Sequence, residues 1–205
     1  MKTMEIWVKF RSRNRLPARA AALTLALVLA GCTVYQGLEE KIIGKALPCP
    51  RVSILADAAT VTRFKEGLGR DLIDVDFKGA LTGFRGSCGY DIDEDTDSGT
   101  LSLDLAVVMN LERGPANKGR EIGFEYFISV TDSSKKVLNK EIFDVKVTFP
   151  GNQTVLKWSE DPDDPVILTI PLKAGERGQD FIIFVGFQLS PEEYQYNLRR
   201  GRTNL

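Results

Sequence analysis

The chain has 205 residues, 43% of them hydrophobic and 27% charged, which is enough for one globular domain with its own core. It contains no histidine, and this excludes His-based catalytic triads and disfavours most zinc sites. A non-enzymatic protein is therefore the stronger hypothesis.

The N-terminus has the pattern of a secretory signal peptide. Residues 1–19 carry six basic residues against one acid, and the apolar run AALTLALVLA follows them. This run of about ten residues is shorter than the roughly 20 that a membrane-spanning helix needs. A buried helix of the fold would not explain the one-sided charge. We therefore predict a cleaved signal peptide over residues 1–31.

The junction Leu29-Ala30-Gly31-Cys32 resembles the lipobox of bacterial lipoproteins. The resemblance implies transfer of a diacylglyceryl group to Cys32, cleavage before Cys32 and acylation of the new amino group. Several acyl chains make a lasting membrane anchor that does not span the bilayer. By the same resemblance, Thr33 in the place of an aspartate favours the outer membrane over the inner one, with the domain on the periplasmic face of the cell envelope.

The mature chain is acidic. Without residues 1–31 it keeps 21 basic and 27 acidic residues, a net charge of −6, which argues against nucleic acid as a partner and against electrostatic attachment to anionic lipid. The basic sequence NLRRGRTN near the C-terminus is better explained as a solvated tail, residues 199–205, than as a binding patch.

Cysteine usage fits an oxidising compartment. With Cys32 assigned to lipid, Cys49 and Cys88 remain as a pair, for which we predict a disulfide; two buried free thiols are the alternative. Neither cysteine lies in a Cys-x-x-Cys redox motif.

The rest of the chain predicts a short tether over residues 32–47 and one β domain over residues 48–198. Period-2 alternation in DLIDVDFKGALTG places Ile73, Val75, Phe77 and Leu81 on one face. After Gly83 the apolar side chains change parity, to Phe84, Cys88, Tyr90 and Ile92, which predicts a β-bulge near Gly83.

Later segments alternate in the same way, and polar turns connect them. Two in-phase sets are Leu101, Leu103, Leu105 and Val107, and then Phe143, Val145, Val147 and Phe149. Seven or eight short strands with little amphipathic helix predict an all-β fold, a single antiparallel β-sandwich, with an immunoglobulin-like strand order as one candidate. Ser190-Pro191 followed by two acids predicts a short terminal helix.

The acidic stretch Asp91–Asp97 has two interpretations. As a calcium loop it would supply Asp93, Asp95, Asp97 and Asp104 as ligands, but the glycine that the sharp turn needs is one position late, at Gly99. As a hairpin tip it leaves its aspartates in water, because Tyr90 and Ile92 point inward. The hairpin is the favoured interpretation, and we predict no bound metal or other cofactor.

Other catalytic patterns are weak. Ser133 and Lys136 have Ser-x-x-Lys spacing, but they lie in the polar turn TDSSKK without a companion motif. No residue pattern places two carboxylates across a cleft, so a carboxylate-dependent hydrolase is only the third hypothesis. Trp158 suits a core or sheet-rim position better than sugar stacking.

Three segments, LPCPRVSILADAATVTRFKEG, FRGSCGYDIDED and IPLKAGERGQDFIIFVGFQLSPEEYQYN, resemble an uncharacterised lipoprotein family of Gram-negative bacteria. The resemblance implies location and domain unity but no activity. We therefore expect a lipid-anchored envelope protein that acts as a binding or structural module and contacts another envelope protein. A calcium- or ligand-binding protein that uses the acidic loop is the alternative.

Overall fold

The computed structural model describes residues 47–161 and 163–203. The predicted signal peptide, the lipidation site Cys32 and residues 33–46 of the tether lie outside this range. The described part contains nine strands and one helix of more than one turn. Their bounds are β1 Arg51–Ile54, β2 Thr60–Phe64, β3 Val75–Ile92, β4 Gly99–Arg113, β5 Glu121–Asp132, β6 Val137–Thr148, β7 Val155–Ser159, β8 Val166–Leu172, β9 Phe181–Phe187 and α1 Pro191–Thr203.

The strands form two sheets. The first sheet has the order β1-β9-β5-β6 and the second β2-β3-β4-β7, with β8 also paired to β4. β7 and β8 pair with successive parts of β4, residues 108–112 and 99–105. The described pairs are antiparallel, except that β1 runs parallel to β9.

This arrangement confirms the predicted all-β sandwich but not the immunoglobulin-like order. In immunoglobulin domains the second and third strands belong to different sheets. Here β2 and β3 are hydrogen-bonded neighbours in one sheet, and β4 continues the same meander. Sequence alternation determines which face a residue takes, but not which strand lies beside it.

The inner faces of the two sheets form one hydrophobic core. The predicted in-phase residues of β4 are all buried, and so are Val145, Val147 and Phe149. The side chains with less than 2% of their surface exposed come from both sheets. The largest are Tyr126, Phe77, Phe149, Phe187, Leu101, Leu105, Met109, Leu111, Ile128 and Ile183.

The long strand β3 contains the predicted bulge. Its register with β4 shifts between Leu81 and Gly83. After the shift Cys88, Tyr90 and Ile92 pack against the core, as the parity change predicted. Phe84 has the same parity but remains 41% exposed, so its predicted core position was wrong. Beyond Leu81 β3 loses its neighbour β2, whose pairing ends at Ala80, and Phe84 lies on that uncovered edge.

Two predicted boundaries also change. The strand expected from residue 71 begins at Val75, and Ile73 lies in a 3₁₀ turn, 71% exposed instead of inward. The predicted terminal helix exists but extends to Thr203, so Arg199 and Arg200 are helical and not part of a separate tail. Arginines suit this position because the last turn of a helix carries partial negative charge.

Within the described ranges no helix is long and apolar enough to cross a membrane.

Candidate binding site

A groove of about 800 Å³ lies between α1 and the outer face of the second sheet. Its floor comes from alternate positions of three neighbouring strands. Because Val61 points into the core, Thr60 and Thr62 point outward, and the pairing of β2 with β3 sets Thr60 beside Ala80. Ala80 in turn pairs with Asn110 of β4. The groove exists because these outward side chains are small.

Larger side chains form the walls of this helix–sheet groove. On the sheet, Lys78 lies 3.7 Å from the Glu112 carboxylate on the neighbouring strand. Leu198 and Arg200 of α1 line the opposite side. The groove therefore offers hydroxyl, amide and charged groups of both signs beside a small apolar surface, which suits hydrogen bonding to a polar segment of a partner.

Polar contacts hold α1 against the edge of β2. At its start, Ser190 and Glu193 form a capping box: the Glu193 amide donates to Ser190 Oγ, and the Ser190 amide donates to Glu193 Oε2. Farther along, the Asn197 amide group donates to the Thr60 carbonyl at 2.7 Å. The helix thus covers an edge strand that would otherwise be open to another chain.

Arg63 of β2 links α1 to both sheets. Its Nε donates to Glu193 Oε1 at 2.9 Å, and its Nη1 donates to the Gly123 carbonyl of β5 at 2.7 Å. Its guanidinium also lies over the Phe77 ring, 5.1 Å from the ring centre. Arg63 therefore helps to fix the position of the groove's helical wall, together with the hydrogen bond from Asn197.

The loop formed by residues 65–74, between β2 and β3, carries three exposed aliphatic side chains. Leu68 is fully exposed, Leu72 is 75% exposed and Ile73 is 71% exposed. Isolated exposed leucines are ordinary on protein surfaces, but here three exposed aliphatic side chains lie within one ten-residue loop. Sequence reasoning missed this loop because Ile73 was in phase with the β3 alternation.

The two basic side chains of the 65–74 loop, and the backbone at its ends, form hydrogen bonds and ion pairs within the protein. The Lys65 amide donates to the Asp74 carbonyl at 2.9 Å and closes the loop, while Lys65 Nζ lies 2.8 Å from the buried Asp74 carboxylate. Arg70 donates to Glu192 of α1 at 2.6 Å and to the carbonyls of Gly67 and Gly69. The loop is thus braced against α1 with its aliphatic side chains outward.

The predicted disulfide between Cys49 and Cys88 is confirmed, with 5.8 Å between the two Cα atoms. It joins the segment that precedes β1 of the first sheet to β3 of the second. Beside it, the Tyr90 hydroxyl donates to the Pro48 carbonyl at 2.5 Å and accepts from the Gly178 amide at 2.7 Å. The place where the chain enters the domain is therefore held by one covalent bond and two hydrogen bonds.

The acidic stretch is the tip of the β3–β4 hairpin, which confirms the favoured interpretation. Asp93 Oδ1 accepts the amides of Asp95 and Thr96 and the Thr96 hydroxyl at 2.9 to 3.0 Å. These hydrogen bonds, chiefly those from Thr96, lower the pKa of Asp93 below its ordinary value. The Asp93 carboxylate thus stabilises its own turn.

The other proposed calcium ligands point to different partners. Asp97 forms an ion pair with Arg177, and Asp104 lies on β4 opposite Ser87, several residues from the tip. In the part of the chain that the structure describes, no three acidic or cysteine side chains are grouped so that they could hold a metal ion. The ligand set of the calcium hypothesis is therefore not brought together.

The remaining candidates have structural surroundings. Ser133 and Lys136 lie in the β5–β6 turn, where Asp132 accepts the amides of Ser134 and Lys136. Trp158 packs edge-on against the rings of Phe124 and Tyr126.

Tyr126 is the buried polar centre of this aromatic group. Its hydroxyl donates to Glu160, and burial together with that carboxylate raises the pKa of Tyr126 above its ordinary value. Tyr126 therefore remains a protonated donor in the core.

Comparison with known proteins gives no family. No family model matches the sequence, and no curated protein matches it. A solved structure, the Streptococcus agalactiae AgI/II polypeptide BspA variable (V) domain, aligns with 66% of this chain and 75% of its own chain, at 12% identity and a TM-score of 0.18.

Proposed function

We propose that the protein is a lipid-anchored lipoprotein of the bacterial cell envelope. Its β-sandwich faces the periplasm, on the outer membrane rather than the inner one, and acts as a non-enzymatic binding module. The observation that carries the binding role is the helix–sheet groove, a concavity of about 800 Å³ on the outer face of a sheet. The lipobox at Leu29–Cys32 supports the anchor.

The groove suits an extended polar segment of another envelope protein. Thr60 and Asn110 provide exposed hydrogen-bonding groups along the floor, and Ala80 leaves room for a backbone to approach. The Lys78–Glu112 pair gives the walls both signs of charge. Because the processed chain is acidic overall, a protein segment fits this surface better than nucleic acid does.

Replacing the lipidated cysteine tests the anchor. Cys32→Ala should move the protein from the membrane fraction to the soluble fraction, because the thiol that accepts the diacylglyceryl group is lost. Ser133→Ala, at an exposed position in the β5–β6 turn, is the control: it leaves both the lipobox and the Cys49–Cys88 disulfide intact. Unchanged membrane association of Cys32→Ala would contradict the proposal.

Photocrosslinking in the protein's own cells tests the groove. A photoreactive side chain at position 110 should give a discrete protein adduct, and Ala80→Trp, which fills the floor, should reduce its yield. Ala174→Trp, in an exposed turn elsewhere, should leave the yield unchanged. Equal yields in the two tryptophan variants would show that the groove is not the contact site.

A further inference from the structure

We infer that the 65–74 loop is a second membrane contact, which inserts Leu68, Leu72 and Ile73 among the acyl chains of the bilayer that holds the protein. This inference rests on the proposed anchor, because three side chains alone would give only weak attachment. It differs from the proposed function in that the ligand is lipid and the site is a loop instead of the groove.

Besides its three exposed aliphatic side chains, the loop carries the exposed acidic residues Glu66 and Asp71. Its cations, Lys65 and Arg70, are paired with Asp74 and Glu192, and its backbone is closed by the hydrogen bond between Lys65 and Asp74. Protein–protein hot spots are enriched in Trp, Tyr and Arg, which add directional contacts to apolar area. Leucine and isoleucine without a free polar partner favour a contact that is apolar and non-directional, as acyl chains provide.

Charge also favours insertion over electrostatic attraction. Residues 65–74 contain two basic and three acidic side chains, and the processed chain carries a net charge of −6. An anionic lipid surface would not attract such a loop. Transfer of apolar side chains from water into the bilayer is the remaining driving force.

The geometry permits both attachments at once. The loop precedes Val75 at the start of β3, whereas the disulfide holds Cys88 near the other end of that strand. At about 3.3 Å per residue these points are about 40 Å apart. The 15 residue-to-residue steps from Cys32 to Leu47 span at most about 50 Å when fully extended. A domain that lies along the membrane can therefore hold its loop at the bilayer while its start remains tethered.

The tether compensates for the weak affinity of the loop for the bilayer. Burial of one leucine side chain in an apolar phase changes an affinity by roughly tenfold. A chain already held at the surface meets the bilayer at a high effective concentration, so the loop needs only a weak intrinsic affinity. We therefore expect insertion in tethered protein and little vesicle binding in untethered protein.

A single fluorescent label tests the insertion. Because Cys49 and Cys88 are bridged, the processed chain with Cys32→Ala has no free thiol, and Leu72→Cys can be labelled alone with a polarity-sensitive dye. An N-terminal histidine tag then holds this chain on vesicles of phosphatidylethanolamine and phosphatidylcholine that contain a nickel-chelating lipid. The control is Ile167→Cys, which is similarly exposed (64%) but lies on β8.

The label at position 72 should shift to shorter emission wavelength on tethering and be quenched by lipids brominated in their acyl chains. The label at position 167 should do neither. Leu68→Ser with Ile73→Ser should reduce the fraction of inserted label roughly tenfold or more. These exposed substitutions should leave the melting temperature unchanged, since such positions rarely affect stability.

Two outcomes would overturn the inference. One is a label at position 72 that remains as exposed to water as the label at position 167. The other is a shift that occurs with native envelope membranes but not with protein-free vesicles, which would assign the loop to a protein. Because the tag replaces the native lipid, either result is independent of the Cys32→Ala fractionation that tests the anchor.

Discussion

The two ends of the sandwich use their polar residues for different purposes. At the stapled end, defined by Cys49, Cys88, Tyr90 and the hairpin tip 91–99, polar side chains bond to each other and to the backbone. At the loop end, defined by residues 65–74 and the start of α1, ion pairs brace a loop whose aliphatic side chains face water. The acids that first suggest a binding site belong to the scaffold, whereas the loop end exposes aliphatic side chains.

Removal of the disulfide should give the largest effect on stability. Cys49→Ser with Cys88→Ser opens a loop with a sequence separation of 39 residues and should lower the free energy of unfolding by about 4 kcal/mol in the chain-entropy treatment. Urea denaturation of the processed chain measures this, with Cys32→Ala alone as the control. A loss of less than about 1 kcal/mol would mean that the stapled end does not depend on its bridge.

Gly178 at the stapled end should tolerate no side chain. A Cβ there would lie 2.3 Å from the Pro48 carbonyl oxygen and 2.6 Å from the Tyr90 hydroxyl. Gly178→Ala should therefore destabilise the fold by about 1–3 kcal/mol through overpacking. Gly89→Ala, whose Cβ would meet nothing within 4 Å, is the matched control and should change stability by less than about 0.5 kcal/mol. Similar losses in both variants would refute the close-contact explanation.

Arg63→Met should loosen α1 without unfolding the sheets. The substitution removes the donors to Glu193 and Gly123, but Arg63 is partly exposed, and solvent screening limits the expected loss to about 1 kcal/mol. Hydrogen exchange should accelerate in residues 191–200 and remain unchanged in β4. Lys157→Met on β7 serves as the control. Equal acceleration in β4 would indicate global destabilisation and not a local change.

The smallest effect concerns acid stability at the loop end. The hydrogen bond from Lys65, followed by that from Asp71, lowers the pKa of Asp74 below its ordinary value of 3.8. A carboxylate with a lowered folded-state pKa stabilises the fold above pH 3.8, and this contribution disappears as the pH falls through the lowered pKa. The stability difference between the parent and Asp74→Asn should be constant near neutrality and shrink in acid. Denaturation measured at a series of pH values checks this. A difference in unfolding free energy between the two proteins that stays the same as the pH falls would contradict this assignment.

Sequence reasoning predicted the features that depend on local alternation and on a small number of special residues. The β4 core residues, the bulge at Gly83 and the hairpin after Ile92 follow from the period of two and from turn chemistry. The disulfide was predicted from the number of cysteines and from the oxidising compartment that the signal peptide pattern implies. Each of these inferences uses residues that are close in sequence or few enough to count.

The features it missed depend on contacts between distant segments. Arg70 and Glu192 are 122 residues apart, yet their ion pair braces the 65–74 loop against α1. The groove floor needs Thr60, Ala80 and Asn110 side by side, which requires the order of three strands. The alternation pattern placed Ile73 in the core because the pattern does not show where β3 begins.

The position of the disulfide also determines how a pulling force crosses the domain. Tension applied at Leu47 passes through Cys49 into Cys88, so β1, which lies between the bridged cysteines, is outside the direct load path. From Cys88 the backbone of β3 leads directly to Ala80 in the groove floor. Tension between a held N-terminus and a partner bound at Ala80 would therefore reach that residue along the covalent backbone of β3, without crossing the hydrogen bonds between strands.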